Sequence, residues 1–129
     1  MRIAIDARIA HYTGAGIGQY AIHLAQALAR LDRVNHYVLL QSRKDRRTLV
    51  DEPHVQRCSI WTPSHHRWEQ EALAVEFKLF PALRRLNLDL LHSTDFIPPL
   101  RLRGFKSVIT VHDLAFLRWP HFLTEESAR

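Results

Sequence analysis

Cysteine is almost missing from this sequence of 129 residues, since Cys58 stands alone. An internal disulfide framework is therefore excluded, and a reducing compartment fits. The expected role of Cys58 is that of a small buried apolar side chain rather than a reactive thiol. Long apolar runs are absent too, and none approaches the ~20 residues a membrane-spanning helix needs. The start, Met1-Arg2-Ile3-Ala4-Ile5-Asp6, is too short and too soon charged for a signal peptide. A soluble protein of the cytoplasm is expected. His65-His66 and Cys58 lack the spacing of a structural zinc site, so no metal is expected. No Walker A pattern occurs, which disfavours an ATPase or kinase of the P-loop kind.

What is present is an apolar fraction of 47%, ample for one buried core. No internal repeat or low-complexity linker divides the chain, so residues 1–129 are expected to form a single domain. Only four glycines occur, and three of them, Gly14, Gly16 and Gly18, fall within five residues. Their placement carries more information than their number.

The formal charge is +5, with basic residues grouped at Arg43-Lys44-Arg46-Arg47, Arg84-Arg85 and Arg101-Arg103-Lys106. Such groups either form solvated helix ends and loops or hold anions. No aromatic residues interleave with them as in a nucleic-acid platform, so a membrane surface at the inner face ranks above nucleic acid as a partner.

Hydrophobic periodicity supplies the elements. Residues 2–7 read as a short strand rich in isoleucine. Over 17–31, Ile17, Tyr20, Ala21, Leu24, Ala27, Leu28 and Leu31 recur at three and four residue steps, which predicts an amphipathic helix. A strand is expected at 36–41, a short charged helix at 44–50 and a weaker strand at 55–61. Residues 68–86 read as helix, broken or offset at Pro81. Two more strands of buried type are expected at 88–92 and 106–112. Strands alternating with helices imply crossovers, hence a Rossmann-like parallel sheet covered on both faces. Thr124 followed by Glu125-Glu126 looks like a helix start near the last residue, from which a truncated or longer protein is expected.

Three constellations carry chemistry. Gly16-Ile17-Gly18-Gln19-Tyr20-Ala21 matches G-x-G-x-x-G/A and opens a helix after a strand. NAD binding is disfavoured, because Gly16 lies nine residues beyond Ala7 and no acid closes the strand ending near Gln41. Gly14 and Gly16 are expected to let a phosphate approach free N–H groups at the positive helix end; the competing reading is a mobile loop that needs positive φ. Next, Val108-Ile109-Thr110-Val111 delivers His112 and Asp113 beyond a strand's carboxyl end. His112 can donate to a sugar hydroxyl or stabilise developing charge, and Asp113 can orient it or accept from a hydroxyl. The bland alternative is a pair that caps the following turn. Third, His92, Ser93 and Phe96 could line an acceptor pocket, with Phe96 as an apolar face for a sugar ring. The strands at 2–7 and 106–112 are expected to be neighbours, so that Gly16 and His112 border one cleft.

Taken together these blocks resemble glycosyltransferase family 4, the retaining, metal-independent GT-B enzymes. The matching features are Met1 through Arg8, Thr13-Gly14-Ala15-Gly16-Ile17-Gly18-Gln19-Tyr20, Trp68-Glu69-Gln70, Asp89-Leu90-Leu91-His92-Ser93 and Thr110-Val111-His112-Asp113-Leu114. The resemblance implies the N-terminal, acceptor-side half of a GT-B fold. Gly16 would approach the donor pyrophosphate and His112 would sit beside the transferred hexose. Glu69 joins His92, Ser93 and Phe96 as an expected acceptor contact. No cofactor is implied beyond a nucleotide-sugar co-substrate, shared with a C-terminal domain that carries the family's paired glutamates, a pair this sequence lacks. The acceptor would be a saccharide or lipid-linked acceptor, and the isolated domain is expected to be inactive. Gln19 stands where the family often has arginine. The competing readings are a non-enzymatic nucleotide or small-ligand module and a nucleotide-sugar epimerase of GT-B fold.

Overall fold

The computed structural model describes residues 1–95, 97, 101–119 and 121, and only the backbone of His66 and Phe116. Phe96 and the helix start expected at Thr124 lie outside the described residues. The chain opens with strand β1 (Arg2–Asp6), a short helix α1 (Ile9–Tyr12) and the long helix α2 (Gly16–Leu31). Strands β2 (His36–Ser42) and β3 (Gln56–Ile60) follow. A 3-10 turn at His66–Trp68 leads into α3 (Glu69–Leu79) and α4 (Pro81–Arg84). Strands β4 (Leu90–Ser93) and β5 (Lys106–Ile109) and the short helix α5 (Ala115–Arg118) complete the described elements.

All five strands are parallel, in the order β3-β2-β1-β4-β5. The fold is the Rossmann-like α/β sheet that the alternating pattern predicts. From β1 the chain builds outward to β3, then returns to the other side of β1 to add β4 and β5. The strand order therefore reverses between β1 and β4, and in open α/β sheets ligands bind outside the carboxyl ends at that point.

Side chains of a strand alternate between faces, and two cores result. Ala4, Val38, Leu40, Ile60 and Leu91 pack with Leu73 and Phe77 of α3 and Leu83 of α4. On the other face Ile5, Tyr37 and Leu39 pack with Ile9 and Ala10 of α1 and Ala21 and Ala25 of α2. Because β2 is paired on both edges and covered on both faces, residues 37–42 are all buried. The expected break at Pro81 is present: Phe80, forced out of helical geometry before proline, adopts φ −108° and ψ 104° and ends α3. No helix among the described residues is long and apolar enough to cross a membrane.

Three expectations need correction. Residues 44–50 form turns and bends rather than a helix. The Asp45 carboxylate accepts from the Arg47 amide and guanidinium at 2.8–3.1 Å. Gln41 donates to the Asp45 and Arg47 carbonyls, and Arg57 also donates to Asp45 O. Side chains have taken the groups a helix would pair with one another. Strand β5 is not of buried type, since all four of its residues are exposed. It is the sheet's edge, paired to β4 alone. It also ends at Ile109, so His112 lies in the loop beyond it, and β4 separates it from β1. Helix α1 was not foreseen, because one turn is too short to show a period.

The glycine-rich loop separates into two kinds of position. A Cβ on Gly18 would fall 2.0 Å from the Thr13 carbonyl oxygen and 3.5 Å from the Ala10 Cα, so glycine lets α2 close on the end of α1. A Cβ on Gly14 or Gly16 would meet nothing within 4 Å, and neither has positive φ. The reading that either serves a left-handed turn is therefore overturned. Gly18→Ala is expected to destabilise the domain by about 1–3 kcal/mol through overpacking. Gly14→Ala should leave it unchanged or gain a few tenths, on the order of 0.5 kcal/mol. Urea unfolding of both variants measures the contrast, and equal midpoints would refute it.

Candidate active site

Beneath the switch point lies a buried ion pair at the end of β1. Arg8 is 0% exposed, and a wholly buried guanidinium is tolerated only when its charge is met and its donors are bonded. Its Nε donates to Asp6 Oδ1 at 2.8 Å and its Nη2 to Asp6 Oδ2 at 2.7 Å, a two-pronged pairing. Nη1 donates to the Glu69 carbonyl oxygen at 2.8 Å, which fastens the start of α3. The Thr94 hydroxyl donates to Asp6 O at 2.7 Å and draws in the end of β4. Neither Asp6 nor Arg8 was singled out by chemistry in the sequence. The available signal was an acid and a base two residues apart directly after an apolar strand.

Glu69 and Ser93 belong to this buried layer. Glu69 is 5% exposed, and burial, reinforced by Asp6, pushes its carboxyl well above the usual carboxylate range and favours the neutral acid. Ser93 is 1% exposed. Glu69 Oε1, Gln70 Oε1 and Ser93 Oγ have no hydrogen-bond partner among the described residues. Tyr12 donates its hydroxyl to the Pro63 carbonyl nearby, and burial pushes that phenol up to about 12. Glu69 and Ser93 thus support the crevice floor instead of standing open on its surface.

Above the floor, the β5 loop meets helix α2. The His112 Nε2 lies 2.8 Å from the Thr94 carbonyl oxygen. A carbonyl only accepts, so in the neutral ring Nε2 carries the proton and Nδ1 keeps its lone pair. The imidazole stands edge-on to Tyr20, with ring centroids 4.9 Å apart and planes at 89°. Tyr20 Oη reaches Thr110 Oγ1 at 3.3 Å, and His92 Nε2 reaches the same hydroxyl at 2.8 Å. His92 is half-buried, and burial lowers its pKa, favouring the neutral ring. Asp113 does not orient His112: its carboxylate accepts from the Ala115 amide at 2.9 Å and caps the turn into α5. His112 is oriented by Thr94 and Tyr20 instead.

Tyr20 is also the link to the glycine loop, since it sits one turn into α2. Ala15 caps this helix without a side-chain hydrogen bond, and no acid lies in its first turn. The N–H groups of the first turn thus meet no internal anion. Gly14 and Gly16 are exposed beside them. Although β1 and β5 are not adjacent, Gly16 and His112 are brought to the same end of the sheet through the Tyr20–His112 contact. Phe96 is outside the described residues, and among those residues no group of three metal-ligating side chains occurs.

A parallel sheet whose strand ends gather the α2 N-terminus and the exposed His112 around the switch point defines a Rossmann-like α/β domain. The chain belongs to Glycosyltransferase Family 4, whose family model matches residues 14–128. Comparison with curated proteins and with solved structures gives no match.

Two outcomes test the buried layer. Arg8→Met leaves Asp6 buried without its counter-charge and should cost about 3–5 kcal/mol, with Asp6→Asn/Arg8→Met recovering part of the loss. Glu69 titrates in the opposite sense to most acids. Its folded value of about 8 lies above the unfolded 4.5, so the folded state holds an extra proton between them. The contribution of Glu69 to stability should be complete below 4.5 and be lost as pH rises toward 8, because the unfolded state then binds fewer protons. Glu69→Gln should flatten this decline in thermal denaturation followed across that range. An unchanged slope would show that the Glu69 carboxyl is not held neutral.

Proposed function

We propose that this domain is the acceptor-side half of a GT-B glycosyltransferase that moves a hexose from a nucleotide-sugar to a saccharide or lipid-linked acceptor with retention. The observation that carries the reading is the meeting of His112 with the α2 N-terminus through Tyr20, within a chain that belongs to Glycosyltransferase Family 4. The unbonded N–H groups of α2 would receive the donor pyrophosphate, with Gly14 and Gly16 leaving room for close approach. Neither glycine is needed by the fold for space or for positive φ, which favours a role toward a ligand. His112 would accept a hydroxyl of the transferred sugar at Nδ1, its other nitrogen being held by Thr94 O. His92, together with Glu69, Ser93 and Phe96, is assigned to the acceptor side; in this reading the buried Glu69 and Ser93 shape the pocket from beneath. Asp113 remains a candidate for a sugar hydroxyl through its free carboxylate oxygen. Departure of the diphosphate is helped by the helix end and by groups of a donor domain, without a dedicated nucleophile or metal.

The test is steady-state kinetics of an enzyme comprising this domain and its donor domain. His112→Ala should lower turnover by about ten to a thousand-fold, the effect of one polar contact worth about 1.4–4 kcal/mol in the transition state. Its thermal midpoint should hold, because the exposed imidazole contributes little to either core. Unchanged turnover with a lowered midpoint would make His112 structural.

A further inference from the structure

Two side chains converge on the single hydroxyl of Thr110. This residue directly follows β5, and its amide still donates to the Ser93 carbonyl at 3.1 Å, so the sheet fixes its place. His92 Nε2 stands 2.8 Å from Thr110 Oγ1, and Tyr20 Oη stands 3.3 Å from the same atom. The three groups come from β4, from the loop after β5 and from α2, and one hydroxyl joins them.

A hydroxyl has one hydrogen, so Thr110 donates either to Tyr20 or to His92 and not to both. When it donates to Tyr20 Oη, His92 Nε2 carries the ring proton and donates to Thr110. When it donates to His92 Nε2, that nitrogen is bare and the neutral ring keeps its proton on Nδ1. Chemistry separates the two arrangements. A phenol is a better donor than an alkyl hydroxyl, and an imidazole nitrogen is a better acceptor than a phenol oxygen. The order Tyr20 to Thr110 to His92 therefore runs from the strongest donor to the strongest acceptor, and each bond polarises the next. Burial, which lowers the His92 pKa, favours the neutral ring in which this choice exists.

We propose that Thr110, with Tyr20 behind it, is a positioning residue that holds His92 in the Nδ1–H tautomer, so that His92 offers a donor where His112 offers an acceptor. His112 is held the opposite way round, with Nε2 donating to Thr94 O and the lone pair left on Nδ1. Neither Nδ1 has a partner among the described residues. Both rings are tied to Tyr20, His92 through the Thr110 hydroxyl and His112 by direct ring contact. A sugar carries O–H groups and oxygen lone pairs together, and two imidazoles of opposite tautomer tell one from the other. The inference rests on the transferase reading only for the ligand being a saccharide; the tautomers belong to the chain itself.

The experiment is long-range proton–nitrogen correlation NMR of the 129-residue chain, isotope-labelled at the histidine nitrogens. It is run at about pH 8, where neutral imidazole is the ordinary form. His92→Gln and His112→Gln assign the two rings by loss of their signals. The wild-type spectrum should show His92 protonated at Nδ1 and His112 at Nε2. Thr110→Val removes the hydroxyl at nearly constant shape and should shift His92 toward Nε2–H, with His112 unchanged. Thr110→Ser should restore Nδ1–H, and Tyr20→Phe should shift His92 less than Thr110→Val, since Thr110 can still donate. Circular dichroism checks the folding of each variant, and the wild-type spectrum decides even where a variant unfolds. Wild-type His92 protonated at Nε2, or a His92 tautomer unmoved by Thr110→Val, would overturn the proposal. Loss of the tautomer in Thr110→Ser as well would overturn it by making the methyl contact the cause. An unslowed His112→Ala enzyme would sink the transferase reading and leave these tautomers as they are.

Discussion

The pairing of Arg8 with Asp6 is the contact on which the carboxyl end of the sheet depends. A guanidinium removed from water carries a desolvation cost of several kcal/mol, and it persists only where every donor and the full charge are met. Here the partners come from β1, from the start of α3 and, through Asp6 O, from Thr94 after β4. Thr94 in turn offers its own carbonyl to His112. An unbroken series of polar contacts therefore runs from a wholly buried salt bridge to the exposed histidine.

The same region shows how burial acts on charge. Asp6 and Arg8 cancel, and burial favours the neutral form of Glu69. The helix has no acid in its first turn and no side-chain cap, departures from the usual stabilising pattern that leave its N–H groups unspent. Gly18 accepts a packing constraint that lets α2 lie close to α1, and Gly14 and Gly16 stand clear.

The two ends of the sheet are chemically distinct. At the carboxyl ends polar groups are bonded to one another and present a few selected atoms outward. At the amino ends of β4 and β5, Arg84 and Arg103 border a small apolar hollow. Edge strand β5 belongs to both, with Lys106 at one end and the loop to His112 at the other.

How far the sequence could be read follows from the range of the forces involved. Local periodicity was enough for α2 and for the core of every strand, because alternation and the 3.6 period are set within one element. Pro81 marked its break because pre-proline sterics act on the neighbouring residue alone. By contrast, the loop at 44–50 was misread as helix because Gln41 and Arg57 take its carbonyls from outside the segment. The exposure of β5 could not be read from its apolar residues, since exposure depends on which strands and helices lie beside it. Spacing brought out His112 and the glycines, but not the separation of Asp113 from His112, which a competing turn decides. The sequence by itself determined the succession of elements, the two-faced hydrophobic pattern and membership of the α/β class. Tertiary structure alone decided that Arg8 would be buried, that the Glu69 pKa would be raised and that His112 would rest on Thr94. Those outcomes depend on groups tens of residues apart sharing one dry volume, where desolvation and pairing, rather than local propensity, set the energy.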